Sequence, residues 1–311
     1  MQRLTLHSGI PDELRGSIVA LGNFDGFHLG HQAVVSRAVA RGHHERRPVV
    51  VATFDPHPVH YFKPDLPAFQ LTSLDQREDL FAHAGADAML VFEFGPELAA
   101  TSAEDFVAML GTRVGAAGLV TGEDFTFGRG RSGNAGTLRA LGEAHGIAAE
   151  AVHSVEIDGA PVSSSRIRAA LVGGDPGTAT HLLSRPFAVR GAVERGDQRG
   201  RTLGYPTANL GLGDYQRPKY GIYAVRVTLP DGTEHAGVAS VGVRPTFDPP
   251  VELLEAFLFD WTGDLYGQTS EVALHHYLRP EAKFDSVEAL RAAMDGDQAR
   301  ARDLLGAPAP R

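Results

Sequence analysis

The chain contains no cysteine, so a disulfide framework, a thiolate nucleophile and a cysteine-ligated zinc are excluded. That absence agrees with a reducing compartment, and a cytoplasmic location is expected. Nor is there an excess of positive charge: 29 Lys and Arg stand against 38 Asp and Glu, a formal net charge of −9. Proteins that grip nucleic-acid polymers present a broad basic surface, so no nucleic acid is expected as a partner. No apolar run reaches the roughly 20 residues that span a bilayer. The start, Met1-Gln2-Arg3-Leu4-Thr5-Leu6-His7, has neither the basic segment nor the apolar core of a signal peptide. A soluble protein without a membrane partner is the expectation. Neither His43-His44 nor His275-His276 has the spaced partners of a metal cluster. There is no internal repeat, and whether the chain forms a homo-oligomer is left open.

With 311 residues, 43% hydrophobic and 22% charged, the chain can bury two ordinary cores. Its arginines gather at Arg129 and Arg131, at Arg166 and Arg168, and at Arg195, Arg199 and Arg201. Small basic foci in an acidic protein suit discrete phosphates. Strands are expected over 17–22, 48–54, 87–93, 117–121 and 149–155, with helices over 31–41, 73–84 and from Ser102 to about Arg113. Near-continuous apolar strands alternating with helices indicate a parallel α/β sheet. After Ser184-Arg185-Pro186 the texture changes. Residues 223–229 alternate with a period of two, Pro230-Asp231-Gly232 supplies a turn, and 234–241 return. A small antiparallel β-barrel or sandwich is expected there, followed by a helix opened by Asp285 and Glu288 and ending near Leu305. The boundary is set near residue 185, giving domains 1–185 and 186–311.

In the first domain, Gly22-Asn23-Phe24-Asp25-Gly26-Phe27-His28-Leu29-Gly30-His31 falls where the first strand yields to a helix. His28 and His31 then share one face of the first turn, beside unpaired N–H groups and the positive end of the helix dipole. Gly22, Gly26 and Gly30 leave room for a polyphosphate. The imidazoles could stabilise charge developing at an α-phosphorus. Ser164, Ser165, Arg166 and Arg168, at another helix start, could hold outgoing pyrophosphate. No general base stands out, and a phosphate nucleophile needs none. Phe54-Asp55-Pro56-His57-Pro58 with Phe62 reads either as a stiff loop or as a wall for a flat heterocycle, with Phe125 and Phe127 beside it. Asp124 is open between a nucleotide contact and a turn.

In the second domain, Thr207 and Asn209 of Gly204-Tyr205-Pro206-Thr207-Ala208-Asn209 point to one side of an extended chain. Their uncharged oxygens suit a magnesium ion that bridges phosphates. The preceding segment, with Gly196, Arg201 and Gly204, offers backbone N–H groups and charge to those phosphates. Alone this is ordinary turn chemistry. Glu255, on the strand face it shares with Phe257 and Phe259, changes the balance, because a carboxylate on an apolar face needs a partner or a task. An alcohol nucleophile gains from a base. Glu255 is the choice and Glu252, on the opposite face, the fallback; the alternative is that Glu255 pairs with an arginine at an edge.

Together these segments resemble the bacterial bifunctional riboflavin kinase/FMN adenylyltransferase family, the FAD synthetases, over nearly the whole chain. GNFDGFHLGH, FDPHP, GEDFTFG and SSSRIR are similar to its adenylyltransferase motifs. RGRTLGYPTANL, KYGIYAV, GVRPTF, EAFLFD and DLYG are similar to its kinase motifs. The resemblance implies an α/β nucleotidyltransferase domain with a Rossmann-like parallel sheet, then a six-stranded antiparallel riboflavin-kinase barrel with a C-terminal helix. It implies that riboflavin, FMN and ATP are the substrates, with Mg2+ accompanying ATP in both reactions. Gly22, Phe24, Asp25, Gly26, His28, His31, Asp124, Ser164, Ser165 and Arg168 would bind the first ATP, with His28 and His31 catalytic. Gly196, Arg201, Gly204, Thr207 and Asn209 would bind the second, Thr207 and Asn209 at the metal and Glu255 as base. Phe54, Pro56, Pro58, Phe62, Phe127 and Arg279 fall on the flavin side. Asp124 replaces an asparagine of some members, Ser165 a threonine and Phe257 a histidine. The rival readings are an enzyme with one live activity, a flavin carrier without ATP turnover, and a cytidylyltransferase. Intact motifs in both halves oppose the first two, and the appended second domain with FDPHP opposes the third.

Overall fold

The computed structural model describes residues 1–194, 207–244 and 251–307. The chain packs as two compact units, one formed by Met1–Pro67 and Leu74–Ser163, the other by Ala68–Ser73 and the chain from Ser164 onward.

In the first unit lie β1 (Gln2–Thr5), β2 (Ile18–Leu21), β3 (Val49–Asp55), β4 (Ala88–Glu93), β5 (Gly118–Gly122), the hairpin β6 (Thr126–Phe127) and β7 (Gly133–Asn134), β8 (Ala148–Val152), and the hairpin β9 (Glu156–Ile157) and β10 (Ala160–Pro161). Six of these form one parallel sheet in the order β1-β4-β3-β2-β5-β8. Its helices are α1 (Leu29–Glu45), α2 (Pro58–Phe62), α3 (Leu74–His83), α4 (Pro96–Ala100), α5 (Ala103–Met109) and α6 (Ala135–Ala144). Strand side chains alternate between two cores. Val19, Leu21, Val50, Ala52, Leu90 and Phe92 face Phe106 and Val107 of α5. Ile18, Ala20, Val49, Val51, Met89 and Val91 face Val34, Val35 and Ala38 of α1 and Phe81 of α3. A sheet covered on both faces requires the unbroken apolar strands that the sequence carries.

Two local differences from the sequence reading have simple causes. The helix expected from residue 31 starts at Leu29, because the His28 side chain accepts the His31 N–H and caps it. The helix expected to reach Arg113 closes as α5, capped by Ser102 on the Asp105 N–H, and passes into a wider turn over Leu110–Val114 before the left-handed Gly115. The edge strand β1 was not expected; four residues paired to β4 alone leave little pattern to read.

The second unit holds α7 (Ser164–Gly173), α8 (Pro176–Leu183), β11 (Phe187–Ala192), β12 (Thr207–Gly211), β13 (Gly221–Thr228), β14 (Glu234–Arg244), β15 (Val251–Leu258), β16 (Thr269–Arg279) and α9 (Val287–Leu305). The six strands are antiparallel in the order β11-β16-β13-β14-β15-β12. The Glu194 N–H, just beyond β11, donates to the Asn209 carbonyl of β12 at 2.8 Å, so the two edges meet in a nearly closed barrel. The hairpin of β13 and β14 turns where expected, with Gly232 left-handed at φ 83°. Val189, Leu210, Tyr223, Val225, Ala239, Leu254, Ala256 and Val272 fill the interior. On the outside, Ala224, Phe259 and Leu278 pack against Ala301 and Leu305 of α9. Ser286, rather than Asp285, caps α9 on the Ala289 N–H at 3.1 Å. Arg302 fixes it by a fork to Asp260, at 2.9 and 3.1 Å, with its guanidinium 4.3 Å from the Phe259 ring centre.

Candidate active sites

The parallel sheet grows from β2 through β3 to β4 on one side, and β5 then crosses to the other side of β2. Such a reversal opens a crevice at the carboxyl ends of the strands, where doubly wound sheets bind ligands. Three of the segments marked in the sequence lie at those ends: residues 22–31 after β2, 55–58 after β3 and 123–128 after β5. The loop after β2 passes through left-handed conformations at Phe24, Gly26 and Phe27, with φ 50°, 85° and 43°. Non-glycine residues adopt these at a cost of order 1–3 kcal/mol each, and packing offsets it. Phe24 and Phe27 are buried with their rings edge-on to Phe81, at 5.7 and 5.1 Å. Beneath them Thr53 Oγ1 donates to the Asn23 carbonyl at 2.8 Å, and Arg77 Nη1 donates to Thr53 Oγ1 at 3.1 Å. Arg77, only 1% exposed, is a supporting residue that the sequence reading missed; its helical position hides it among charged neighbours.

His28 Nδ1 accepts the His31 N–H at 3.3 Å. In the neutral ring the proton then sits on Nε2, as a donor. The His28 and His31 rings stack, 3.6 Å between centres and 17° between planes, and the edge of Phe24 stands 5.3 Å from His31. The two expected imidazoles thus form one unit at the start of a 17-residue helix. Phe24 and Asp25, expected to bind ATP, are buried side chains; the Phe24 ring is committed to the core, which leaves its backbone for a ligand. Asp124 is exposed, with Oδ1 folded back over Gly122. Its neighbour Glu123, overlooked in the sequence, accepts the Ser154 N–H at 2.7 Å and pairs with His153. Those two bonds, the backbone one foremost, hold its carboxyl down at about 2.

The aromatic side chains of the expected wall divide between core and surface. Phe54 and Phe127 are buried, Phe54 stacked on Phe92 at 5.5 Å and Phe127 against Phe106 at 5.5 Å, so both rings are spent on the core. Phe62, at 64% exposure, is the accessible ring, with the half-buried Phe94 edge-on at 5.8 Å. Pro56 is exposed and Pro58 opens α2. Phe94 was missed because it follows β4 outside any marked segment. Ser164 and Ser165 open α7, and Arg168 is held by the Phe69 carbonyl at 2.8 Å with its guanidinium 5.0 Å from the Phe69 ring. These residues pack within the second unit.

In the barrel, register decides what meets. Thr207 lies opposite Phe257 and Asn209 opposite Glu255 on β12 and β15. Ser240 and Val238 of β14 lie opposite Glu255 and Phe257. Directly opposed residues of an antiparallel pair have Cβ atoms about 4.5–5.5 Å apart on one face. Asn209, Glu255 and Ser240 therefore form a polar row across three strands. The row borders a cleft of about 250 Å³ between barrel and α9, lined by Thr207, Val238, Ser240, Glu255, Phe257 and Arg279 with Glu281, Phe284, Leu290 and Met294. Asn209 is 4% exposed, and its Oδ1 has no hydrogen-bond partner among the described residues. A buried orphan amide oxygen beside Thr207 and a carboxylate is a donor set that fits a hard divalent cation. Among the described residues no group of three or more His, Asp or Glu is placed to hold a metal on its own.

Glu252, the fallback base, is bound to Arg217 at 2.7 Å and to the Tyr220 hydroxyl. The guanidinium keeps its carboxyl below the ordinary range, and burial together with Glu252 raises Tyr220 to about 12. Arg279, expected on the flavin side, lines the cleft, but its guanidinium is forked onto Asp297 of α9, with Nε to Oδ1 at 2.9 Å and Nη2 to Oδ2 at 2.7 Å. Ser240, Glu281 and Asp297 were all missed; only the fold brings them to the cleft that Glu255 lines. Gly196, Arg201 and Gly204 lie outside the described residues.

Fold and sites together define a two-unit protein that handles nucleotides, a nucleotidyltransferase-type α/β unit followed by a riboflavin-kinase-type barrel. Residues 10–166 match the family described as FAD synthetase, and residues 183–305 match the family described as riboflavin kinase. The chain is 39% identical over 308 residues to the bifunctional riboflavin kinase/FMN adenylyltransferase of Pseudomonas fluorescens, covering 98% of each. It is 35% identical over 296 residues to that of Escherichia coli K12, covering 95% of each. A crystal structure of a Streptococcus pneumoniae protein named as a macrolide-efflux protein shares the fold, with TM-score 0.87 and 31% identity over 97% of this chain and 99% of that one. The chain belongs to the bifunctional riboflavin kinase/FMN adenylyltransferase family.

Proposed function

We propose that the two reactions of this bifunctional enzyme are divided near residue 185, with adenylyl transfer on the amino-terminal side and phosphoryl transfer on the carboxyl-terminal side. Riboflavin and ATP give FMN and ADP; FMN and a second ATP give FAD and pyrophosphate. The observation that carries the kinase assignment is the polar row in which Glu255 stands between Asn209 and Ser240 at the cleft.

In the kinase reaction the primary alcohol of the ribityl chain attacks the γ-phosphorus. An O–P bond forms, the bond to the β-phosphate oxygen breaks, and ADP leaves. Glu255 accepts the alcohol proton during the attack. Thr207 and Asn209 would hold the divalent ion, for which magnesium is the choice because it keeps waters and binds phosphates through few protein oxygens. When bound, it neutralises charge on the phosphates. The apolar cleft wall of Val238, Phe257, Phe284 and Leu290 suits the flat ring system.

In the adenylyl reaction a phosphate oxygen of FMN attacks the α-phosphorus and pyrophosphate departs. The nucleophile is already ionised, so the site needs donors rather than a base. His28 offers its Nε2 proton, and the first N–H groups of α1 lie beside it. Asp124, Ser164, Ser165 and Arg168 are assigned to this reaction, and Phe62 to the flavin. The FAD synthetase match runs into SSSRIR, which supports placing that motif with the first activity. We infer a cytoplasmic enzyme with small-molecule substrates and no nucleic acid, supported by the net charge of −9.

The test is incubation with riboflavin and Mg-ATP followed by chromatographic separation of flavins. His28→Ala should lower FAD formation at least about a hundredfold while FMN accumulates. Glu255→Gln should lower FMN formation by a similar factor yet leave supplied FMN adenylylated. Full riboflavin phosphorylation by Glu255→Gln would remove Glu255 from its role.

A further inference from the structure

The row across β12, β15 and β14 has two unlike flanks. On the Asn209 side stand Thr207 and an orphan amide oxygen, the groups assigned to Mg-ATP. On the other side stands Ser240, whose hydroxyl donates to Glu281 Oε1 at 3.2 Å. Glu281 is exposed on the segment after β16, and its carboxylate reaches back over Gly242, two residues beyond Ser240 on the same strand face. A Cβ on Gly242 would collide with that carboxylate, so the glycine makes room for it. Both Ser240 and Glu281 line the cleft, next to its apolar wall.

We propose that Ser240, oriented by Glu281, reads the secondary hydroxyls of the ribityl chain and so sets the acceptor specificity of the kinase. The proposal rests on the assignment of this cleft to riboflavin phosphorylation. A serine hydroxyl has a single proton. A hydroxyl that gives its proton to Glu281 meets any further partner only as an acceptor, and the Glu281 carboxylate is likewise an acceptor. Both therefore favour a substrate that brings O–H donors. An acceptor whose alcohol sits at Glu255, with its ring against Phe257, Phe284 and Leu290, runs its intervening chain past the neighbouring polar position, which is Ser240. A site built to bond a hydroxyl rejects an analogue lacking it far more strongly than an apolar pocket rejects a methylene change.

The probe is an isoalloxazine bearing a plain ω-hydroxypentyl chain, which keeps the terminal alcohol and lacks the secondary hydroxyls. The readout is the ratio of kcat/KM for riboflavin to that for the analogue. The native chain should favour riboflavin by about a hundredfold or more. Ser240→Ala and Glu281→Gln should each cut that ratio about tenfold or more by lowering the riboflavin value, and Ser240→Thr should restore it. Glu281 is exposed, so its variant keeps the question answerable if Ser240→Ala folds poorly. An unchanged ratio in both variants, or a parallel fall for both substrates, overturns the proposal. Glu255→Gln run alongside judges the base separately: it should suppress both substrates alike, whatever happens at Ser240.

Discussion

At Gly30 the missing side chain decides where the His28 imidazole can lie. A Cβ there would stand 3.1 Å from His28 Cε1 and 3.2 Å from Nδ1, closer than ordinary contact, so the ring must tilt. A shift of a few tenths of an ångström would lengthen the 3.3 Å cap on the His31 N–H and displace the ring stacked on His31. Gly30→Ala should therefore lower FAD formation about tenfold, within the range for a misplaced group, with FMN formation untouched; separate assays of the two steps check it. Parity argues similarly at the other site. Glu252 and Glu255 are three residues apart on one strand and face opposite sides. That much was readable in sequence, but not that Arg217 and Tyr220 would claim Glu252. The carboxyl of Glu252 is depressed, so its contribution to stability is present above the ordinary carboxylate range and fades as pH falls through its lowered value.

Among the elements, α9 matters most, because one wall of the cleft beside Glu255 belongs to it. Its amphipathic pattern predicts a helix, and the structure agrees. What it rests on is set by pairs distant in sequence, Arg279 with Asp297 and Arg302 with Asp260. Arg279 and Asp297 are largely buried, at 26% and 11% side-chain exposure, so removing one leaves the other charge poorly solvated. Asp297→Ala should cost about 2 kcal/mol in denaturant unfolding and raise the KM for riboflavin more than it lowers kcat. An unaltered KM would separate α9 from flavin binding. The sheet elements were legible for the opposite reason. The strands β2 to β5 are buried on both faces, so their apolar runs admit little else, whereas β1 and β11 carry short patterns of mixed burial.

For the whole molecule, the cleft proposed for the kinase reaction is lined by residues of the second unit alone, and His28, His31 and their supports Phe24, Thr53 and Arg77 belong to the first. FMN made in one reaction is therefore expected to be released before the second. With labelled riboflavin and a pool of unlabelled FMN, the specific activity of FAD should fall in proportion to the pool; FAD that keeps full label would demonstrate direct transfer. Packing and sequence family divide the chain differently around α7. The FAD synthetase match extends to residue 166, inside α7, yet the helix packs with the barrel's unit.

The sequence by itself determined the family, the two kinds of sheet, and the residue types on which the proposed chemistry rests: imidazoles at a helix start for an ionised nucleophile, and a carboxylate with amide and hydroxyl oxygens for a neutral one. Those follow from local period and from chemistry, which short segments carry. Only the tertiary structure decided that Phe54 and Phe127 are core while Phe62 is exposed, that Arg279 clamps a helix, and that Ser240 and Glu281 line one cleft with Glu255. Such outcomes depend on strand register and on contacts between residues far apart in the chain, and the pattern around one residue does not encode its distant neighbour.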